Sequence, residues 1–252
     1  MEREIAPLVR GKGWHKRTLA GALRCYENEK AIVACAGIGG QAAARTAEAM
    51  IAAGLPRLLV SAGLAGALTP AGKIGQVICP AVIICSAKGA PVKFTPGPVI
   101  RGLVRAGVLL TGAGVAGGEA KRMLARQYQA EAIDTEAAAV AEIAAAHGVP
   151  FLAVKAISDE YDFPMPDLAP YISPQGKFSA GRFLLHVGLR PPLWQMVSKL
   201  ASNSSKASSE LCAVLRTLLD AGAGPAEDGA GAAGPGFRQS AQGKAGREQE
   251  HL

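Results

Sequence analysis

Aromatic residues are scarce in this sequence. Phe, Trp and Tyr make up 5% of its 252 residues, whereas the hydrophobic set as a whole reaches 49%. The core must therefore be assembled from Ala, Val, Leu and Ile. Cysteine is sparse too: Cys25, Cys35, Cys79, Cys85 and Cys212 are odd in number and form no CxxC pair. That excludes a disulfide framework and a structural zinc site, and it points to a reducing compartment. The net charge of +7 comes from Lys and Arg spread along the chain, with no dense basic run and no aromatic interleaving. This argues against a nucleic-acid partner while staying compatible with an anionic substrate. No stretch reaches the roughly 20 apolar residues that a bilayer span needs. The opening MEREIAPLVRGKGWHKR has no apolar core of the kind a secretory signal carries. What is left is the expectation of a soluble, cytoplasmic protein long enough for one α/β domain.

The abundant residues are Gly (31) and Pro (16), which suit many short turns. Residues 1–10 read as a short amphipathic helix, and 17–35 as a hairpin ending in the strand AIVACAG. A Gly-rich turn and Ala-rich helix follow at 37–55. RLLVSAGLAGAL (57–68) is a buried strand running into a second Gly-rich turn, and QVICPAVIIC (76–85) is another strand. GVLLTGAG is a strand, GGEAKRMLARQY (117–128) a helix with its basic face to solvent, and AEAIDTE a strand entering an acidic turn. AAAVAEIAAAHG is a helix closed by Gly148, and VPFLAVKAISD a strand entering a second acidic turn. This alternation predicts a largely parallel or mixed sheet with helices on its faces. The stretch from Lys177 to Leu219 reads as helical, broken at Arg190-Pro191-Pro192. Residues 221–252 are rich in Gly, Ala and polar residues and cannot bury enough to offset their ordering entropy. The expected organisation is therefore a domain at 1–220 and a disordered tail at 221–252.

Chemistry concentrates at four places. GIGG at 37–40 opens a helix, where free N–H groups of Gly37 and Gly39 can hold an anion, although such turns also occur for packing alone. SAGLAG at 61–66 is a second close-approach loop. The other two are acidic: Asp134 and Glu136 in one cluster, Asp159, Glu160 and Asp162 in the next. Glu136 can be a helix cap, a role Asp134 or Thr135 would fill equally well, and Asp159 can be a turn former. Their pairing speaks for more. One helix and one strand separate them, which would bring both to one sheet edge. Two carboxylates there could grip a sugar diol and protonate a leaving group. The histidines suggest no metal site, and His147 before Gly148 reads as a helix C-terminal residue.

Those residues carry a resemblance. DTEAAAVAEIAAAHGVPFLAVKAISDEYD resembles the signature of the purine nucleoside phosphorylase/nucleosidase superfamily, in particular its methylthioadenosine/S-adenosylhomocysteine nucleosidase branch. AGIGGQAAA and SAGLAGAL match that family's two Gly-rich loops in order, and the likeness covers about residues 1–160. It implies a three-layer αβα sandwich with a mixed central sheet, working as a homodimer without metal or organic cofactor. It also implies cleavage of the N-glycosidic bond of a purine nucleoside, with water or phosphate as acceptor. Glu136, with Thr135 beside it, would accept hydrogen bonds from the ribose hydroxyls. Asp159 would be the acid that protonates the purine at N7, with Ser158, Val115 and Gly66 around the base. Glu4 would activate the attacking water, and Gly37, Gly39 and Ala65 would form the loop that holds the nucleophile.

The sequence departs from the family pattern at several positions. The first strand of the family sheet would precede Met1, so the expectation is a start upstream or, less favoured, a damaged copy. Thr135 stands where the family has Met, Lys155 where it has Arg, Val115 where an aromatic stacks on adenine, and Leu64 where a small polar residue sits. These departures keep open a catalytically weak, nucleoside-binding relative. The segment after Met165 is similar to hopanoid-associated phosphorylases, which act on an adenosyl-lipid. That similarity makes Phe163, Met165, Leu168 and Trp194 candidate walls for an apolar 5′ group, or else ordinary packing.

Overall fold

A computed structural model describes residues 2–221 apart from 12, 20–22, 100–101, 115–116 and 174. Val115 and the expected tail beyond Ala221 lie outside the described residues. In chain order the elements are α1 (Glu2–Val9), β1 (His15–Leu19), β2 (Leu23–Glu27), β3 (Ile32–Ala34), α2 (Gly40–Ala53) and β4 (Leu59–Ala67). Then come β5 (Val77–Ile78), β6 (Val82–Cys85), β7 (Ala90–Pro91), β8 (Val108–Thr111), α3 (Gly118–Tyr128) and β9 (Ala132–Asp134). The chain continues through α4 (Ala137–Ala146), β10 (Phe151–Asp159), α5 (Ala180–Gly188) and α6 (Trp194–Ala221).

The main sheet has the order β5-β10-β4-β9-β8-β6-β7. It is mixed: β10 runs parallel to β4 and antiparallel to β5, while β9 runs antiparallel to β4 and parallel to β8. The strand-helix alternation thus folds as the α/β sandwich that the sequence implies. β10 shows why. Leu152, Val154 and Ala156 face Leu211, Cys212 and Leu215 of α6, while Phe151, Ala153 and Ile157 face the alanines of α2 and α4. Both sets alternate with the period of two that a strand buried on both faces requires. With so few aromatics, close packing falls to Ala: Ala43 and Ala47 of α2 meet Ala137, Ala141 and Ala144 of α4. Side chains this small bring helix and sheet backbones close, which keeps the density of a core without large residues.

Four expectations are corrected. QVICPAVIIC is two strands, not one: β5 ends at Ile78 and β6 starts at Val82, with Pro80 between them lacking the N–H a continuous ladder would need. SAGLAG is not a turn but the interior of β4, paired with β10 from Leu59↔Phe151 to Ala65↔Ile157. Helix α3 does not turn its whole basic face to solvent, because Lys121 is buried. The 17–35 segment forms a hairpin with a third strand, but β1-β2-β3 is a small sheet of its own and not part of the main one.

One contact between loops fixes the mouth of the central cavity. The N–H of Ile38 donates to Gly176 O at 2.8 Å, and both neighbouring glycines have left-handed backbones, Gly37 at φ 96° and Gly176 at φ 79°. A Cβ on Gly176 would stand 2.5 Å from Ile38 O and 2.8 Å from Ala42 Cβ. Gly176→Ala should therefore cost at least about 1–2 kcal/mol from backbone strain alone, with the clash in addition. A thermal melt should show a midpoint several degrees lower; an unchanged midpoint would mean that the two loops do not pack this way.

Candidate active site

A cavity of about 330 Å³ opens along β4, bounded by α1, the turn before α2, β9, β10 and the segment after β10. Glu4, Gly37, Ala65, Gly66, Asp134, Thr135, Glu136, Ser158 and Asp159 all line it, so the structure brings these sequence-predicted residues to one place, whereas Gly39 does not line it and touches the site through Glu136. They do not meet at a shared sheet edge, however. Because β9 runs antiparallel to β4, the C-terminal ends of β9 and β10 point in opposite directions. The acidic groups meet across β4 instead: Gly66 is paired with Ile133 on one side and Asp159 on the other. The glycines of SAGLAG make this possible. A Cβ on Gly66 would lie 2.7 Å from Asp159 Oδ2 and 3.0 Å from Lys121 Nζ, and one on Gly63 would meet Lys155 Nζ at 3.6 Å and Glu4 Oε2 at 4.0 Å. The close approach was legible in the sequence; its setting in a strand was not.

The first acidic cluster divides its labour. Asp134 is the capping carboxylate: its Oδ2 accepts the Ala137 N–H at 2.9 Å at the start of α4. Its Oδ1 accepts the Thr111 hydroxyl at 2.7 Å, and Lys155 Nζ lies 2.8 Å from Oδ2. With Asp134 capping the helix, Glu136 is released from that duty. Its Oε1 accepts the Gly39 N–H at 2.9 Å and the Thr135 hydroxyl. The Gly39 N–H is thereby committed to a carboxylate, so the anion role expected of it is already occupied. Oε1 takes two donors, yet an ionised carboxylate offers about four acceptor positions, so Glu136 can still receive hydroxyls from a ligand.

Lys155 is 1% exposed and also reaches Ser61 Oγ at 3.1 Å. Burial works against its charge, but Asp134, Glu136 and Glu4 together outweigh that penalty and hold its pKa above the ordinary lysine value. Lys155 thus remains an ammonium on the side of the cavity that faces Glu4.

The second acidic cluster contains a group that the sequence reading missed. Lys121, 1% exposed on α3, forms a buried ion pair with Asp159 and donates to Glu160 O at 2.7 Å. A signal for it existed. Lys121 stands three, four and seven residues before Leu124, Ala125 and Tyr128, the apolar stripe with which α3 packs on β8 and β9. A cation at that spacing belongs to the buried face. Ser158 Oγ lies 2.8 Å from Asp159 Oδ1 and 3.4 Å from Ala65 O, and its single proton goes to the nearer carboxylate.

The four apolar wall candidates part company. Met165 and Leu168 line the cavity; Phe163 is buried with Lys199 over its ring, and Trp194 is exposed on a separate groove. Trp194 is held outward by its position at the start of α6, where its indole N–H donates to Val187 O at 2.9 Å. His147 does end α4, with its Nε2 3.0 Å from Glu48 Oε2.

This constellation can be set beside known proteins. The family model of the phosphorylase superfamily matches residues 10–101 and 100–171. The chain belongs to the phosphorylase superfamily. A comparison with curated protein sequences finds no match. Among solved structures, a 5′-methylthioadenosine/S-adenosylhomocysteine nucleosidase from Helicobacter pylori is similar with TM-score 0.61 and 21% identity, covering 88% of this chain and 95% of that one. Futalosine hydrolase of the same organism gives TM-score 0.61 and 22% identity, covering 88% and 94%. An S-adenosylhomocysteine nucleosidase from Streptococcus pyogenes gives 0.63 and 17%, covering 88% and 93%. At these identities the likeness speaks for a shared fold. Membership of the phosphorylase superfamily, in turn, supports an enzyme, an N-glycosidase or a phosphorylase. Among its described residues no helix is long and apolar enough to cross a membrane.

Proposed function

We propose that this enzyme hydrolyses a 5′-modified adenosine, of the methylthioadenosine or S-adenosylhomocysteine kind, and releases adenine. The observation that carries the reading is the meeting of Asp159, Glu136 and Glu4 in one cavity of nucleoside size. Asp159 supplies a proton to N7 of the purine. The C1′–N9 bond then breaks with its electron pair passing into the base, leaving an oxocarbenium-like sugar held by Glu136 at its hydroxyls. Water adds to C1′ and gives its proton to Glu4. Met165 and Leu168 offer an apolar wall that suits an uncharged 5′ substituent.

Water is favoured over phosphate by the charge balance of the cavity. Its two lysines, Lys121 and Lys155, are each paired with a carboxylate, and Glu4 and Glu136 add further negative charge. Among the described lining residues no cation is left over to neutralise a phosphate dianion, whose burial without one would be costly. Chromatography of the products, with and without inorganic phosphate, tests this. The expected products are adenine and a sugar with a free reducing end, formed at a rate indifferent to phosphate. A sugar 1-phosphate would reverse the choice of acceptor, and no base release from a panel of 5′-substituted adenosines would leave only a nucleoside-binding role.

A further inference from the structure

The pairing of Asp159 with Lys121 poses a chemical problem for the reaction. A lone carboxylic acid surrenders its proton near pH 4, whereas an ammonium keeps its own to about pH 10. Asp159 accepts the buried Lys121 ammonium on Oδ2 and the Ser158 hydroxyl on Oδ1, so both of its oxygens are already engaged as proton acceptors. Yet the reaction requires one to arrive at the base. The ammonium is the nearest source. Lys121 Nζ lies against Asp159 Oδ2, and among the described residues the other acceptor it meets is a backbone carbonyl, Glu160 O at 2.7 Å, which cannot carry a proton away. Both side chains line the cavity, and both are almost wholly excluded from water.

We propose that Lys121 is the proton reservoir of the site: it positions Asp159 and passes it the proton that Asp159 delivers to the leaving base. This rests on the reading of Asp159 as the general acid. As the C1′–N9 bond lengthens, electrons accumulate on the purine and its N7 becomes basic. One proton then moves from Lys121 Nζ to Asp159 and on from that carboxyl to N7. Lys121 is left as the neutral amine, Asp159 as the carboxylate, and the base departs neutral. The pair recovers one proton from water once the product leaves, which balances the proton that the attacking water gives up.

The other charged groups near the pair are themselves engaged. Glu160 on the same turn is paired with Lys199 of α6 at 2.9 Å, and Lys155 of β10 with Asp134 of β9 at 2.8 Å. Glu136 ahead of α4 accepts from Gly39 and Thr135, and Glu4 of α1 faces Lys155 across Gly63. None of them is a proton donor to Asp159 in this arrangement. Gly66 of β4 matters because any side chain there would displace both Lys121 Nζ and Asp159 Oδ2.

The test is the pH profile of kcat/KM for base release by the full chain, wild type against Lys121→Met and Lys121→Arg, with a thermal melt of each. If the ammonium holds the proton, the wild type should stay active to about pH 8 or beyond. Lys121→Met leaves Asp159 to hold its own proton, so its activity should fall steeply with rising pH, with a loss at least tenfold greater at about pH 8 than at about pH 5. Lys121→Arg keeps the charge but has no proton to give in this range, so it should be at least tenfold less active than wild type across the profile. It also keeps the test open should the methionine variant fail to fold. A Lys121→Met loss of the same factor at every pH, or a Lys121→Arg variant of wild-type activity, would overturn the reservoir and leave Lys121 a structural counter-ion. Those results presuppose base release by the wild type; its absence would instead overturn the cleavage reading, and the proton assignment with it.

Discussion

Asp159→Asn should lower kcat by about two to four orders of magnitude, the usual contribution of a positioned general acid. The substitution changes little in shape. Ser158 can still donate across 2.8 Å to the side-chain oxygen, and the strand pairing Asp159↔Gly66 is a backbone matter. What disappears is a group able to carry a proton to the purine. KM should change far less than kcat, because the base leaves only in the transition state and an interaction made only there is lost from kcat. Adenine release under saturating nucleoside measures the effect. A melt must accompany it, since the variant strands the buried Lys121 ammonium without its carboxylate; pairing Asp159→Asn with Lys121→Met removes that burden and should recover stability but not rate. Undiminished kcat in the asparagine variant would sink the acid assignment.

The elements of the fold were largely legible because the signals are local. The short apolar run in FLAVKAISD and the Ala-rich helical run before it are enough to give strand, helix and their order. The direction of β9 was not legible. Three residues, AID, carry no information on whether they run with or against β4, and that sense decides where Asp134 and Glu136 come to lie. The two acidic turns were therefore recognised as one site while their meeting place was not. Nor could one sequence divide the roles within DTE. Asp134 takes the helix cap and the ion pair with Lys155, and only the three-dimensional arrangement shows that this frees Glu136 for the cavity. Lys121 went unseen because a Lys in a helix with several basic residues is ordinarily solvated, and its position on the apolar stripe is the sole contrary sign.

The largest expected effect on stability belongs to Lys155. Its ammonium sits between strands β4 and β9, 2.8 Å from Asp134 Oδ2 and 3.1 Å from Ser61 Oγ, where water hardly reaches. Lys155→Met keeps the aliphatic reach but leaves Asp134 charged and without its cation. Removing one partner of a buried pair costs about 3–5 kcal/mol, which in a chain of this size corresponds to a fall in melting midpoint of roughly 10 °C. The pH dependence has a definite sign. Because the folded-state pKa of Lys155 is raised above the ordinary lysine value, its contribution is fully present below that ordinary value and is lost only as pH rises through the raised one. Wild type and variant should thus differ by a constant amount from neutral to moderately alkaline pH. They should converge only in strongly alkaline solution. Adding Asp134→Asn to Lys155→Met removes the stranded charge, so the double variant should be more stable than the sum of the single losses, with a coupling of about 1–3 kcal/mol. Strict additivity would mean that the two groups do not sense one another. The Lys155–Asp134 pair would then not be what holds β9 against β10 across β4.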